Sequence, residues 1–451
     1  MIREDFSGGI VKNISRRNFL KYLGAGVIGI IAKPKFSLAK KNDFRASDVI
    51  QCFDENATSG NTINESVVQI MMDESIQTLT GINNLGEAWK SILPDINENS
   101  IISIKVNCMN YEVPTHPEFV NCIINGLTQM EFGSVNYKRN NIIIWDRFDD
   151  ELSDSGYIIY TGNEPNTVRC FGSDHSGVGY DTTCPLHING PGGTIAKYPS
   201  RIMSLMSDYV IDAGVLKDHD WAYITLSLKN HYGSIDQPVD YNLHYNHCNP
   251  CIPSLNQQIR DVINPNNMQK IFIVDALFGR INWGPMGSPN CNPKKLIMSL
   301  DTVACDYHGQ NVINEERVAQ GYSTINAPYI TTAAQSQYNL GTTDINLIEI
   351  NNPSNIQESR TVGPADGVLK VFPNPFHRKT LITLSLTRTS SVHLDLINTS
   401  GRIVDKIYSG HLSKNVHRIG YNINKKLSSG TYFVRFSNQG KTQVKKVMIL
   451  H

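Results

Sequence analysis

Residues 244–251 read "HYNHCNPC" and place His244, His247, Cys248 and Cys251 within eight positions. Thiolate and neutral imidazole suit zinc or iron, and a C-x-x-C pair is common in such sites. One pair is short of a tetrahedral set, so the two histidines, or Cys291 or His308 from elsewhere in the chain, would have to complete it. In an oxidising compartment the same C-x-x-C closes as a disulfide or cycles as a redox pair. Nine cysteines cannot all pair, and Cys122 falls on an apolar helical stripe, where a thiol packs as core. The spacing leaves three readings open: metal, disulfide or redox pair, and neither.

A second set of residues points to an anion. Lys105, Lys217 and Lys229 stand in short polar strings, with Asn107, His219, Asn230 and His231 beside them. A lysine ammonium is a compact point charge suited to a carboxylate or phosphate, and the amides and imidazoles add directed hydrogen bonds. The competing reading pairs each lysine with a nearby acid such as Asp218 or Asp220. "NGPGGT" (189–194) lacks both the Walker spacing and the dinucleotide fingerprint, and reads as a turn. Neither a nucleophile elbow nor an H-E-x-x-H string occurs.

These side chains need a frame. "SIISIKVN" (100–107) and "NNIIIWDR" (140–147) read as buried strands. Between them "PEFVNCIINGLTQM" (117–130) carries apolar residues at helical spacing. That order is a βαβ unit, with parallel strands and a crossover helix. Residues 207–217, 270–277 and 294–300 read as further strands, and 301–313 as a helix capped by Asp301. The fold class is an α/β central domain with a mainly parallel sheet, over residues 45–350. Polar residues gather at the strand ends: Lys105 and Asn107, Asp146 and Arg147, Lys217 and His219, the late Asp275, and Ser299 with Asp301. Open parallel sheets bind ligands at the carboxyl ends of their strands, so these residues are expected to share a cleft. The expected ligand set is Lys105, Asn107, Lys217, His219, Lys229, Asn230, His231, Asp275 and Asp301.

Charge divides the chain. Residues 40–367 hold 20 Lys/Arg against 37 Asp/Glu, net −17, and residues 368–451 hold 14 against 2, net +12. An acidic central domain argues against nucleic acid, which is gripped by clustered Lys and Arg. No run of 18 apolar residues occurs, so no ordinary membrane span is expected. At the N-terminus "SRRNFLK" (15–21) precedes the apolar "YLGAGVIGIIA" (22–32) and "FSLA", with Ser37 and Ala39 at small-residue cleavage positions. Residues 1–39 are therefore expected to be an export signal.

From residue 368 the texture changes to short alternating segments, "LITLSL", "SVHLDLIN", "TYFVRFSN" and "QVKKVMIL", separated by Gly, Ser and Asn. Period-two alternation with such turns reads as a small all-β, Ig-like sandwich. Residues 351–367, rich in Asn, Ser, Pro and Gly, read as its linker.

Three resemblances follow from these strings. Arg16-Arg17 followed by Phe19-Leu20-Lys21 resembles a bacterial twin-arginine signal, which implies the twin-arginine export machinery as a partner and transport of an already folded chain. "VFPNPF", "LINTSGRIV", "LSSGTYFVRF" and "GKTQVKKVMIL" resemble, in order, the type A sorting domain of the type IX secretion system. That resemblance implies the type IX machinery as a partner. The destination would be the periplasm, then the outer membrane, cell surface or extracellular space. "IKVNCMNYEVPTHPEFV", "VIDAGVLKDHDWAYITLSLKNHYGSI", "IFIVDALFGRINWGP" and "SLDTVACD" resemble the domain of unknown function 362 family over roughly residues 48–315. This resemblance implies an α/β domain that sometimes occurs with iron–sulfur modules, and no established reaction. The ferredoxin-like Cys repeat of many relatives is missing here, so a cluster set does not carry over. Two functions remain open. One is a metal-dependent enzyme or redox protein, with zinc or iron, acting on a small anionic substrate. The other is a non-catalytic surface protein that binds a small anionic ligand or a metal.

Overall fold

A computed structural model of the protein describes residues 46–263, 269–354, 367–386, 388–398, 402–423, 427–438 and 441–450. The expected export signal (1–39) and most of the expected linker (355–366) lie outside the described residues.

Short apolar runs bounded by polar residues form one central sheet. Its strands are β1 (Ser47–Phe53), β2 (Ile102–Lys105), β3 (Ile142–Trp145), β4 (Arg169–Cys170), β5 (Tyr209–His219), β6 (Tyr223–Ile224), β7 (Gln269–Arg280), β8 (Lys295–Ser299) and β9 (Ile345–Asn351). The spatial order is β9-β1-β8-β7-β5-β2-β3-β4, with β6 paired to β5. Neighbours from β7 to β4 pair parallel, as do β1 and β9, but β8 is antiparallel to both β1 and β7. The sheet is therefore mixed. The cause lies in the β7–β8 connection: residues 281–294 carry no helix, and two strands joined without a crossover return antiparallel. β1 and β9, which the sequence reading does not single out, complete the sheet beyond β8.

Helices cover both faces. α1 (Glu65–Thr80) and α2 (Pro117–Leu127) pack on one, where Val68, Met72, Phe119 and Ile123 meet Ile104, Ile211 and Ala213. On the other lie α3 (Leu226–Asn230), α4 (Tyr241–Cys248), α5 (Cys251–Gln258) and α6 (Thr302–Ala319). There Leu226, Leu255 and Val303 meet Val210, Leu216 and Val274. The alternation along β5 decides where α3 sits. Ile211 and Ala213 point to the first face, which leaves Asp212 and Gly214 for the second. A Cβ on Gly214 would come within 3.1 Å of the Leu226 carbonyl, so glycine lets α3 approach the sheet. Asp306 of α6 then accepts hydrogen bonds from the Ser227 and Leu228 backbone N–H groups at 2.8 and 3.0 Å and anchors the start of α3.

The "NGPGGT" stretch is the turn of a hairpin between Leu186–Gly190 and Gly193–Lys197. The C-terminal region is all β: Gly367–Phe372, Lys379–Leu386 and Val416–Asn422 form one antiparallel sheet. Ile403–Leu412, Ser390–Ile397, Gly430–Asn438 and Lys441–Ile449 form another. Alternate residues such as Ile382, Leu384, Leu394, Val434 and Phe436 fill one core between them. Among the described residues no helix is long and apolar enough to cross a membrane.

Candidate functional site

The carboxyl ends of β2, β3 and β5 and the last two residues of α3 converge on a cavity of about 340 Å³. Five of the expected ligand residues line it: Lys105, Asn107, His219, Lys229 and Asn230. Hydrogen-bond accounting separates their roles.

Lys105 ends β2 and is 1% exposed. Its ammonium donates to the Val106 carbonyl at 2.7 Å, to Asp146 Oδ1 at 2.7 Å and to Asn230 Oδ1 at 3.2 Å. An ammonium has three N–H donors, so Lys105 is saturated by the protein. Asp146, at the end of β3, also accepts the backbone N–H groups of Arg147 and Cys108 at 2.8 and 2.7 Å. The pair ties two strand ends together. Asn107 Oδ1 accepts from Lys217 Nζ at 2.7 Å, and Asn107 Nδ2 donates to Asn230 Oδ1 at 3.2 Å. Asn230 passes the chain on to Asp212 at 2.9 Å, and Asp212 lies 3.2 Å from His231 Nε2. Lys217 is fully buried behind Asn107, and burial pulls its pKa down to about 7.

Lys229 differs. It is 7% exposed, it lines the cavity, and among the described residues its ammonium makes no hydrogen bond or ion pair. Its ammonium lies over the Tyr232 ring, with Nζ 4.7 Å from the centroid. Burial lowers its pKa to about 8. Arg147 stands on the same cavity; Nε donates to Glu151 at 2.7 Å and Nη2 to the other oxygen of that carboxylate, which leaves Nη1. Thr225 carries a buried hydroxyl with no partner and also lines the cavity.

Two histidines form part of the wall. His219 Nδ1 accepts the N–H groups of Trp221 and Ala222 at 3.1 and 3.3 Å, and burial drops its pKa to about 2. His244 donates from Nδ1 to the Asp240 carbonyl at 3.1 Å, which leaves the Nε2 lone pair; burial lowers it to about 4. The two rings stack with centroids 6.0 Å apart. Both imidazoles are neutral at physiological pH.

Three expected ligand residues sit elsewhere in the fold. Asp301 caps α6 through the Val303 and Ala304 N–H groups and accepts from Ser47 at the start of β1. Because β8 runs antiparallel, its carboxyl end lies at the amino ends of its neighbours, on the edge opposite the cavity. Asp275 is fully buried and serves the loop before α2, accepting the His116 backbone N–H at 3.0 Å and pairing with its ring at 2.7 Å. His231 is buried against Asp212 and Ser234. Asp146 and Arg147 stand at a strand end in the sequence, yet nothing there marks Asp146 as the partner that saturates Lys105. The local spacing likewise points His244 toward metal rather than toward this wall.

His244, His247, Cys248 and Cys251 do not form one ligand set. His247 stacks on Tyr223 at 4.2 Å and donates to the Trp221 carbonyl, while His244 faces the cavity. Cys248 and Cys251 are buried free thiols, and burial raises both pKa values, Cys251 to about 12. Both side chains pack among the apolar residues of the core rather than converging with the two histidines. Among the described residues no group of three or more His, Cys, Asp or Glu is placed to hold a metal. Elemental analysis of the exported protein is expected to give zinc and iron well below one per chain, unchanged by Cys248→Ser/Cys251→Ser. Stoichiometric metal that disappears in the double variant would restore the ligand set.

The backbone around the cavity is strained. Tyr223, Leu226, Asn246, His247, Cys248 and Trp283 all take left-handed φ values, between 49° and 69°. Such conformations cost free energy in non-glycine residues and concentrate at ligand sites.

Residues 102–310 match the family model described as "Domain of unknown function (DUF362)", and residues 370–450 match "Secretion system C-terminal sorting domain". Among curated proteins, none matches the chain. Similar solved structures include dimeric latent PorU from Porphyromonas gingivalis, at 18% identity and TM-score 0.16, covering 20% of this chain and 10% of that one. A Thermotoga maritima protein is 9% identical with TM-score 0.26, over 52% of this chain and 55% of its own. The chain thus spans a tenth and about half of these two proteins. With the cavity and its lysines inside the first matched region and the all-β unit inside the second, the chain carries a DUF362 domain followed by a secretion system C-terminal sorting domain.

Proposed function

We propose that the DUF362 domain holds a small anionic ligand in the cavity, gripped by Lys229 and Arg147, on a protein delivered to the cell surface. The sorting domain directs the chain to the type IX secretion machinery, and so to the cell surface or the extracellular space. The twin-arginine string at Arg16 and Arg17 supports export of the folded chain, which would carry an intact cavity across the inner membrane.

One observation carries the ligand reading. Lys229 is a nearly buried ammonium without a hydrogen bond or ion pair among the described residues, aimed into a cavity. A buried charge is costly unless it is paired, and its neighbours Lys105 and Lys217 both have protein acceptors. A bound anion would supply the missing partner. The Arg147 Nη1 group and the unpartnered Thr225 hydroxyl offer it further donors.

Titration calorimetry with phosphate, acetate and lactate tests this. At least one anion is expected to bind wild type, and Lys229→Met is expected to weaken it roughly ten- to a hundredfold, the worth of one hydrogen bond to a charged group. Binding of the same anion at unchanged affinity to the variant would refute the assignment. Each bound anion is also expected to drive proton uptake near pH 8, since a negative neighbour raises the Lys229 pKa from its depressed value.

A further inference from the structure

We propose that Lys229 is a carbonyl-capturing amine, and that the cavity takes small 2-oxo acids, whose carbonyl carbon condenses with Nζ to an imine. The inference rests on the anion reading above, which places the carboxylate, and it adds the reacting group.

The geometry supplies what the condensation needs. Lys229 Nζ is unpaired, so nothing has to be broken before it attacks. The groups that face it from each neighbouring element are known. They are His219 from the end of β5, His244 and Cys248 from α4, Arg147 from the loop after β3, Lys217 from within β5, and the Tyr232 ring. The two imidazoles are neutral, Arg147 stands beside Lys229, and the carboxylates on the same wall, Asp146 and Asp220, make no hydrogen bond or ion pair with Nζ among the described residues, Asp146 being held by Lys105. This is the setting that turns a lysine into a nucleophile: burial plus cationic neighbours. Burial and Arg147 keep a usable fraction of the amine neutral near pH 8.

The step balances without an oxidant or reductant. The Nζ lone pair forms a bond to the carbonyl carbon as the C=O π pair moves to oxygen, which takes a proton from solvent. The surplus proton on Nζ passes to a base, for which the His244 Nε2 lone pair is available on the cavity wall. The His244 imidazolium returns its proton to the hydroxyl, which leaves as water while the Nζ lone pair closes the C=N bond, giving the protonated imine. Arg147 Nη1 and the Thr225 hydroxyl are the free donors for the acid's carboxylate and the departing oxygen.

Borohydride trapping tests the proposal on the purified, exported protein. Incubation with pyruvate followed by borohydride is expected to add one reduced adduct per chain, found on the peptide containing Lys229 and suppressed by excess lactate. Lactate has the same carboxylate but no carbonyl. The trapping rate should climb as the pH rises toward about 8, as the amine loses its proton. Lys229→Met should lose the adduct, and if that variant does not fold, peptide mapping of wild type still assigns the residue. Adducts spread over surface lysines, with Lys229 not enriched, overturn the proposal. In that case calorimetry with phosphate, acetate and lactate separates the two ideas: if any of them binds and Lys229→Met weakens it, the anion reading stands alone, and if none does, both fall.

Discussion

Asp146→Ala is expected to destabilise the α/β domain by about 3–5 kcal/mol, the cost of breaking a buried ion pair on one side. The carboxylate accepts Lys105 Nζ and the N–H groups of Cys108 and Arg147, and all of these lie at or near full burial or at the strand end. Removing it strands an ammonium that is 1% exposed and two backbone donors. A loss of this size is a large part of the roughly 5–15 kcal/mol that holds an ordinary domain. All four tryptophans, Trp89, Trp145, Trp221 and Trp283, fall in the α/β domain, so tryptophan fluorescence in urea reports its unfolding apart from the C-terminal unit. A loss below about 1 kcal/mol, the range of an exposed pair, would mean that water reaches Lys105 and that the pair is not structural.

Lys217 gives the second large effect, and it appears as a pH dependence. Burial lowers its pKa from 10.5 to about 7 in the folded chain. Below about pH 7 the lysine is charged in both folded and unfolded chains, and the folded state bears the whole cost of burying it. Between about pH 7 and 10.5 the unfolded chain binds the extra proton, so stability contributed at this position rises with pH. Above that window both forms are neutral and the rise stops. Each pKa unit is worth about 1.36 kcal/mol, so the change amounts to about 4–5 kcal/mol. Other groups titrate at high pH, among them the buried thiols, so the comparison is with Lys217→Met under identical conditions. The stability of wild type relative to the variant is expected to improve by several kcal/mol from about pH 7 to 10. A difference that stays flat across this range would mean that Lys217 keeps an ordinary pKa.

Together these two lysines show that the expected cluster of three cations is really three different devices. Lys105 locks β2 to β3, Lys217 orients Asn107 from behind, and Lys229 alone presents unused donors to the cavity. The oriented Asn107–Asn230–Asp212 chain is the support that holds α3, and so Lys229, at the mouth of the sheet.

Much of this was legible in residue order alone. The runs "IISIKVN" and "NIIIWDR" are local patterns, and period-two or helical spacing is enough to make strands and helices of them. The polar residues at strand ends and in "LKNHYGSI" include Lys105, Asn107, His219, Lys229 and Asn230, which the fold brings to one cavity. The C-terminal address is likewise a linear signal and coincides with the sorting domain, while the expected N-terminal export signal lies outside the described residues. Tertiary structure decided the rest, for one physical reason. Strand direction and hydrogen-bond satisfaction are relations between segments far apart in sequence. The reversed β8 carried Asp301 to the opposite edge, and the missing crossover helix in 281–294 was the only local trace of that reversal. Asp146 saturates Lys105 from 41 residues away, and Asn230 joins it from 125. Spacing brought His244, His247, Cys248 and Cys251 together on paper, but the left-handed backbone at Asn246, His247 and Cys248 turned His244 to the cavity and the thiols into the core.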